Sequence, residues 1–351
     1  MYRSILYSFC FLIFYIPIVN SQTGGKVFQF LELTNASRIA ALNGNVPVLQ
    51  DDDINIAYIN PSGLNFNLNH NFSMNFINYF AGINYYYSSY AYSFDSLNTI
   101  ALGINYIDYG KFLAADEFGN INGNFFASEY AIFLQYSRLI NKNLFSGLTV
   151  KPVISQLEKY SSTGLAFDIG ITYISDDKLF KSALVLRNLG FQITKYYDNA
   201  KGEELPLNII VGFTKKFAYS PLIVYFVFDH LEKFDLTYKT EKQKEEETNQ
   251  LTGETKKISS FDKSFDKLMR HLNLGFELNL TKNIFISVGY NYRRRQEMKI
   301  DELPGTVGIS WGVGLRFNKF QFYYARSTYH LYGSPNYFSI NLKMNEIFKL
   351  F

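Results

Sequence analysis

The chain has 351 residues, is 18% aromatic with 28 Tyr and 34 Phe, and carries a formal charge of +3. Near-neutral charge without a basic face argues against a nucleic-acid footprint, and one cysteine excludes a disulfide framework. The aromatic excess suits strands, and in particular the interfacial girdles of a membrane barrel.

Residues 1–21 read as a secretory signal. Arg3 supplies the positive start, Ile5 to Val19 the apolar core, and Ser21 the small residue before Gln22. Cys10 sits within that core, with more apolar residues after it, so lipidation is not expected there. Elsewhere no apolar run is long enough for a spanning helix. An exported chain of this kind is either soluble or a barrel.

Residues 22–68 form a separate segment. Ala36 to Leu42 suits a short helix, with Thr34 or Asn35 as its cap and Gly44 as its stop. Asp51, Asp52 and Asp53 follow, then Asn60-Pro61. The segment is too apolar for a free tail and lacks strand patterning, so it is expected to fill the interior of a large barrel as a plug. Gly308, Gly312 and Gly314 are expected to face inward and leave it room.

From residue 69 to 351 the pattern is all-β. Fourteen stretches alternate apolar and polar residues: 72–80, 83–94, 99–107, 127–139, 144–155, 164–175, 180–189, 207–217, 221–231, 270–280, 283–294, 307–317, 319–329 and 336–345. In 307–317, Trp311 and Val313 alternate with Ser310 and Gly312, placing the first pair toward lipid and the second inside. Most stretches have the nine to eleven residues that cross a bilayer at a tilt. An even number closes an antiparallel transmembrane barrel.

The gaps alternate in length. Asp95 to Asn98, Asn141 to Asn143, Asp176 to Lys178, Ala218 to Ser220, Thr281-Lys282 and Asn318 are short turns. Segments 108–126, 156–163, 190–206, 232–269, 295–306 and 330–335 are longer, with Ala81-Gly82 as the exception. Short turns on one side and long loops on the other are the habit of outer-membrane barrels, so both ends are expected in the periplasm and the long loops outside. The charge run Glu241 to Glu247 reads as a solvated loop centre.

Candidate chemistry is sparse. His70, His230, His271 and His330 make no metal-ligand spacing, no nucleophile elbow occurs, and neither enzyme activity, metal nor cofactor is expected. The three aspartates lack calcium-loop spacing, so caps or turns suit them better. Arg293, Arg294 and Arg295, expected at the outer end of a strand, suit contact with lipopolysaccharide phosphates or a partner.

The stretch from Ala36 to Gly44, with Arg38 inside it, then Asp51, Asp52, Asp53, Asn60 and Pro61, resembles the hatch of FadL-like outer-membrane barrels. More narrowly, the chain resembles the PorQ family of type IX secretion. Gly24-Gly25 with Phe28 and Phe30-Leu31, Tyr109-Gly110 with Ala115 to Glu117, Lys267 to His271, Gly289 to Glu297, and Tyr329 to Leu331 carry that resemblance. It implies an outer-membrane barrel of a Bacteroidota-type cell. The barrel would anchor a PorZ-like surface protein in an attachment complex with PorU and PorV, and its outer loops would make the contact. The alternative is a FadL-like channel for hydrophobic small molecules. A soluble secreted β-protein is the third reading.

Overall fold

Period-two alternation builds the wall, because each strand can bury only one face. In β12 (Ile309–Arg316), Ser310, Gly312 and Gly314 are buried, whereas Trp311 is 44% exposed. The computed structural model describes residues 26–198, 201–237, 260–299, 305–330 and 333–348. The expected signal, Gly24-Gly25, the charge run Glu241 to Glu247 and Leu331 lie outside the described residues.

The other strands are β1 (Asn71–Asn78), β2 (Asn84–Ser93), β3 (Asn98–Ala115), β4 (Ile121–Asn141), β5 (Leu144–Leu157), β6 (Tyr160–Ile174) and β7 (Phe180–Thr194). Then come β8 (Asn208–Lys216), β9 (Leu222–Phe228), β10 (Leu272–Asn279), β11 (Ile284–Asn291), β13 (Phe320–Ser327) and β14 (Asn336–Lys343). All neighbours are antiparallel, and the sheet closes where β1 pairs with both β2 and β14: Phe72 stands opposite Tyr90 on one side and Leu342 on the other. The fold is a closed 14-stranded antiparallel transmembrane β-barrel. Closure leaves no open edge along the common height of the wall. Met74, Leu102, Leu134, Ile171, Leu184 and Ile340 are among the exposed outward residues, an apolar face suited to hydrocarbon.

The wall is uneven. β3 has 18 residues and β4 has 21, whereas β9 has 7 and β10 has 8. The expected loop 108–126 is therefore mostly hairpin: pairing resumes beyond a bulge, with Lys111 opposite Phe126, and only 116–120 turn. Segments 156–163 and 190–206 likewise give residues to β5, β6 and β7. Strand-forming Phe, Ile and Tyr in these segments continue the ladder beyond the length a membrane requires.

Residues 27–68 lie against the inner wall. Helix α1 (Ser37–Ala41) takes no cap from Thr34 or Asn35; Ala36 precedes it, and its first amide, Ser37 N, donates to Ser339 Oγ of β14 at 2.9 Å. A barrel residue thus satisfies a helix-end donor that the local sequence leaves open. The helix ends as expected near Gly44, whose φ of +83° and proximity to Thr34 Oγ1 suit a residue without a side chain. Phe30, Leu31, Ile39, Leu42 and Ile59 form one core with inward Tyr85, Tyr87, Phe133, Val185, Tyr225 and Tyr337.

Glycines shape the seat. A Cβ on Gly147 would collide with the Pro61–Ser62 backbone, and one on Gly212 with the Pro47 ring. At Gly289 it would lie 2.7 Å from Ala41 O, and at Gly312 2.8 Å from Ala41 Cβ. Of the three expected inward glycines, Gly312 meets the plug. Gly314 instead abuts the Phe285 ring, and Gly308 is a positive-φ turn against Asn291 and Arg295.

Candidate functional site at the barrel mouth and the plug

Two constellations stand out, one holding the plug and one above it. Arg38 of α1 reaches Glu277 of β10 with Nε to Oε2 at 2.9 Å and Nη2 to Oε1 at 2.8 Å. Asp51 pairs with Arg38 at 2.5 Å and with Arg316 of β12 at 2.9 Å, while Arg316 lies 3.4 Å from Glu277. Two guanidiniums and two carboxylates thus neutralise one another, with Arg38 and Glu277 buried, Arg316 half-buried and Asp51 at the exposed edge. Burial raises the Asp51 carboxyl, and Arg38 and Arg316 more than reverse this, leaving it at about 2. Asp51 is therefore an ion-pair partner rather than a turn residue.

The other two aspartates act locally. Asp52 accepts from Asn65 Nδ2 and Asn67 Nδ2, both at 2.8 Å. Asp53 caps the 3-10 turn Ile54–Tyr58 by accepting from Asn55 N at 3.0 Å, and burial raises its carboxyl. Asn60 caps the next turn, with Pro61 at its start, and donates to Thr172 Oγ1 at 2.8 Å. On other strands Arg187 donates to Leu31 O at 3.1 Å, Ser310 to Asn43 Oδ1 at 2.8 Å and Thr214 to Val48 O at 2.9 Å. The plug is fastened around the ring by its own polar groups and those of the wall.

Above it, where the wall opens toward the long connections, lies a cavity of about 480 Å³. Phe30, Leu33, Ile83, Ile107, Tyr79 and Tyr329 give it an apolar lining, with Arg293, Arg294, His230 and Glu32 at its polar points. The arginines follow closely on the long-connection end of β11, in a helix rather than in the strand itself. β11 stops at Asn291, whose side chain accepts from Arg294 N at 2.7 Å and starts helix α3 (Tyr292–Met298). That cap folds the three arginines back over the mouth. Arg294 lies over the Tyr329 ring at 3.9 Å, Arg295 Nη1 donates to Gly305 O, and Arg293 and Arg294 line the cavity. Arg294 Nη1 and Tyr79 Oη are buried without a hydrogen-bond partner. At the opposite end the gap between plug and wall is only about 30 Å³.

The histidines are spread out. His70 bonds Tyr90 Oη at 2.6 Å, His230 bonds Glu232 at 3.2 Å, and His271 bonds Asp229 O at 2.8 Å. His330 bridges to Gly333. Among the described residues no cluster of His, Cys, Asp and Glu is arranged to hold a metal.

Sequence reasoning missed Glu277, Arg187, Lys151 and Asp168. Lys151 and Asp168 pair at 2.6 Å, fully buried on the inner wall. One signal was available: each is a charge at an inward position of an alternating strand, where it must find a partner.

No protein-family model matches the chain, and no curated protein matches it in sequence. Solved structures do. The deltaS2S3 mutant of TodX, a monoaromatic hydrocarbon channel, aligns with a TM-score of 0.51 at 12% identity, over 88% of this chain and 99% of its own. The toluene transporter TbuX of Ralstonia pickettii aligns at 0.49 and 10% identity, over 89% of this chain and 97% of its own. A FadL homologue of Pseudomonas aeruginosa aligns at 0.46 and 11% identity, over 88% and 97%. At such identities the TodX likeness bears on the fold alone, and the fold it shares is that of this barrel.

Proposed function

We propose that this protein is an outer-membrane barrel that takes a small, largely apolar molecule into its mouth. The cavity of about 480 Å³ carries this reading. Concave sites of that size that combine apolar side chains with convergent polar groups are the usual form of a small-molecule site, and here Asp229, Glu297, Asn43 and Asn45 join the arginines among the polar groups. Arg293, Arg294 and His230 in the cavity lining would meet a polar end of the ligand. The short-turn rim, where β1 begins and β14 ends, would face the periplasm. Passage through the barrel would require the plug to move, since residues 27–68 pack the interior beneath.

The test is titration of the detergent-purified protein with N-phenyl-1-naphthylamine, a small apolar fluorophore. Saturable binding is expected, and Leu33→Trp, which narrows the cavity, should weaken it. A native protein without saturable binding would sink the reading.

A second reading has its own support. The motifs from residue 24 to 345 resemble the PorQ family, the interior is filled, and the extended β3–β4 hairpin exposes Leu113, Phe118, Ile121 and Phe126. On this reading the barrel anchors a PorZ-like surface protein in a type IX attachment complex with PorU and PorV, and the arginines contact that protein or lipopolysaccharide. Mild extraction of native outer membranes distinguishes the two. Co-purification of a PorZ-like protein that survives Leu33→Trp favours the anchor, and a barrel that emerges alone counts against it.

A further inference from the structure

The chain enters β10 through helix α2 (Ser260–Met269), whose Phe261, Phe265 and Leu268 fall on one helical stripe. Phe265 is 52% exposed and Leu268 57%, and the Phe261 ring stacks on Phe265 at 6.3 Å. The other side of the helix is tied to protein. Asp266 accepts from Arg270 Nε at 2.7 Å and Tyr292 Oη at 2.9 Å, and Lys267 pairs with Asp235 at 2.7 Å. At 3.6 residues per turn, tethering positions 266 and 267 toward the protein turns 265 and 268 away from it.

Height gives this stripe its surroundings. β9 and β10 are 7 and 8 residues long. At about 3.4 Å per residue and a tilt of about 40°, they rise about 20 Å, short of the ~25 Å apolar band of such barrels. Outward Leu278, Phe276, Leu274 and Leu272 run up β10, and the chain joins Leu272 to Leu268 through Met269 and the buried Arg270 and His271.

We propose that α2 is an interfacial helix. It lays Phe265 and Leu268 among the acyl chains of the leaflet at the long-connection end, completing the apolar belt where the wall is low. Lipid is the occupant because the stripe continues the lipid-facing surface of β10. An amphipathic helix with an aromatic and leucine edge sinks to the boundary of headgroups and acyl chains.

The chain supplies its own reference, since Trp311 is its single tryptophan and lies on the outward face of β12. The native protein and a Trp311→Phe, Phe265→Trp variant would be reconstituted in phosphatidylcholine bilayers with acyl chains brominated near the carboxyl end. A shift between heated and unheated gel mobility verifies folding of each. Loss of emission from the Phe265→Trp variant, comparable with that of native Trp311, is expected. Unchanged emission alongside quenched native Trp311 overturns the proposal, and quenching instead by aqueous iodide assigns the stripe to water or a protein partner. Should Phe265→Trp fail to assemble, Leu268→Trp in the same background reads the same stripe.

Discussion

Arg38 on the plug helix grips Glu277 on β10 through two bonds of 2.9 and 2.8 Å, although 239 residues separate them in the chain. Both side chains are almost wholly removed from water, at 1% and 0% exposure. The Phe285 ring packs beside this pair, 5.1 Å from the Arg38 guanidinium and 4.0 Å from that of Arg316. The seam joins the plug to a strand far along the chain, so the plug's anchor depends on long-range closure of the wall.

Removing one partner should be costly. Glu277→Ala leaves Arg38 and Arg316 sharing Asp51, a net positive charge at the seam, which should cost part of the ~3–5 kcal/mol of a wholly unpaired buried charge. Faster tryptic cleavage within residues 26–68, with barrel mobility on gels unchanged, is the expected result. Arg38→Met combined with Glu277→Leu should recover part of the protection, because an apolar pair of similar volume removes the unpaired charge.

Acid should loosen the same seam. The Asp51 carboxyl is depressed, so its contribution is complete above about 3.8 and fades as pH falls toward about 2. Asp53, raised by burial, acts in the opposite sense, because protonation relieves the cost of its charge. Protection of the α1 amides, taken relative to their intrinsic exchange rate at each pH, should therefore fall across that acidic window in the native protein, and Asp51→Asn should flatten the dependence.

The glycine seat predicts a plug displaced from an intact barrel. At Gly289 a Cβ would sit 2.8 Å from Asn43 N as well as 2.7 Å from Ala41 O, both backbone atoms that cannot swing aside. Gly289→Val should cost about 1–3 kcal/mol through overpacking. Protease protection of residues 37–43 should fall while heat-modifiability is retained.

The two faces of β12 should respond differently to charge. Val313→Arg places a cation on the lipid face, which costs about 2–4 kcal/mol at mid-membrane and should impair assembly. A simple lumenal reading of Ser310 predicts tolerance. Ser310 is instead wholly buried and bonded to Asn43, so Ser310→Arg should assemble and expel the plug. Gel mobility reports the first effect and plug proteolysis the second.

At the mouth, Arg294→Ala removes the contact with Tyr329, a cation–π pair worth about 0.5–2 kcal/mol. It also deletes a polar point of the cavity. A several-fold weaker affinity for N-phenyl-1-naphthylamine is expected, and unchanged affinity would place the ligand elsewhere.

Much of the architecture was legible in the amino-acid order. All fourteen strands fall where alternation placed them, because a strand between lipid and a filled interior must alternate along its length. The inward and outward faces of β12 were legible for the same reason. Strand height was less so: a hairpin such as β3–β4 continues above the membrane wherever Phe and Ile permit pairing, and alternation carries no mark of where lipid ends. Local rules also missed the cap of α1, since its partner Ser339 lies 302 residues away.

The sequence by itself determined the barrel, its strand order and the separate character of the N-terminal segment, all consequences of short-range periodicity and turn chemistry. Only the tertiary structure decided which charges meet and where the cavity lies. Arg38 finds Glu277, and Arg293 and Arg294 turn from a strand end to the mouth, because closing the sheet fixes distances between residues that no spacing along the chain encodes. Once the wall is closed, desolvation forces each inward charge to find a polar partner, an opposite charge for Lys151 and Glu277 and neutral oxygens for Arg187, and that neighbour is set by the register of the ring.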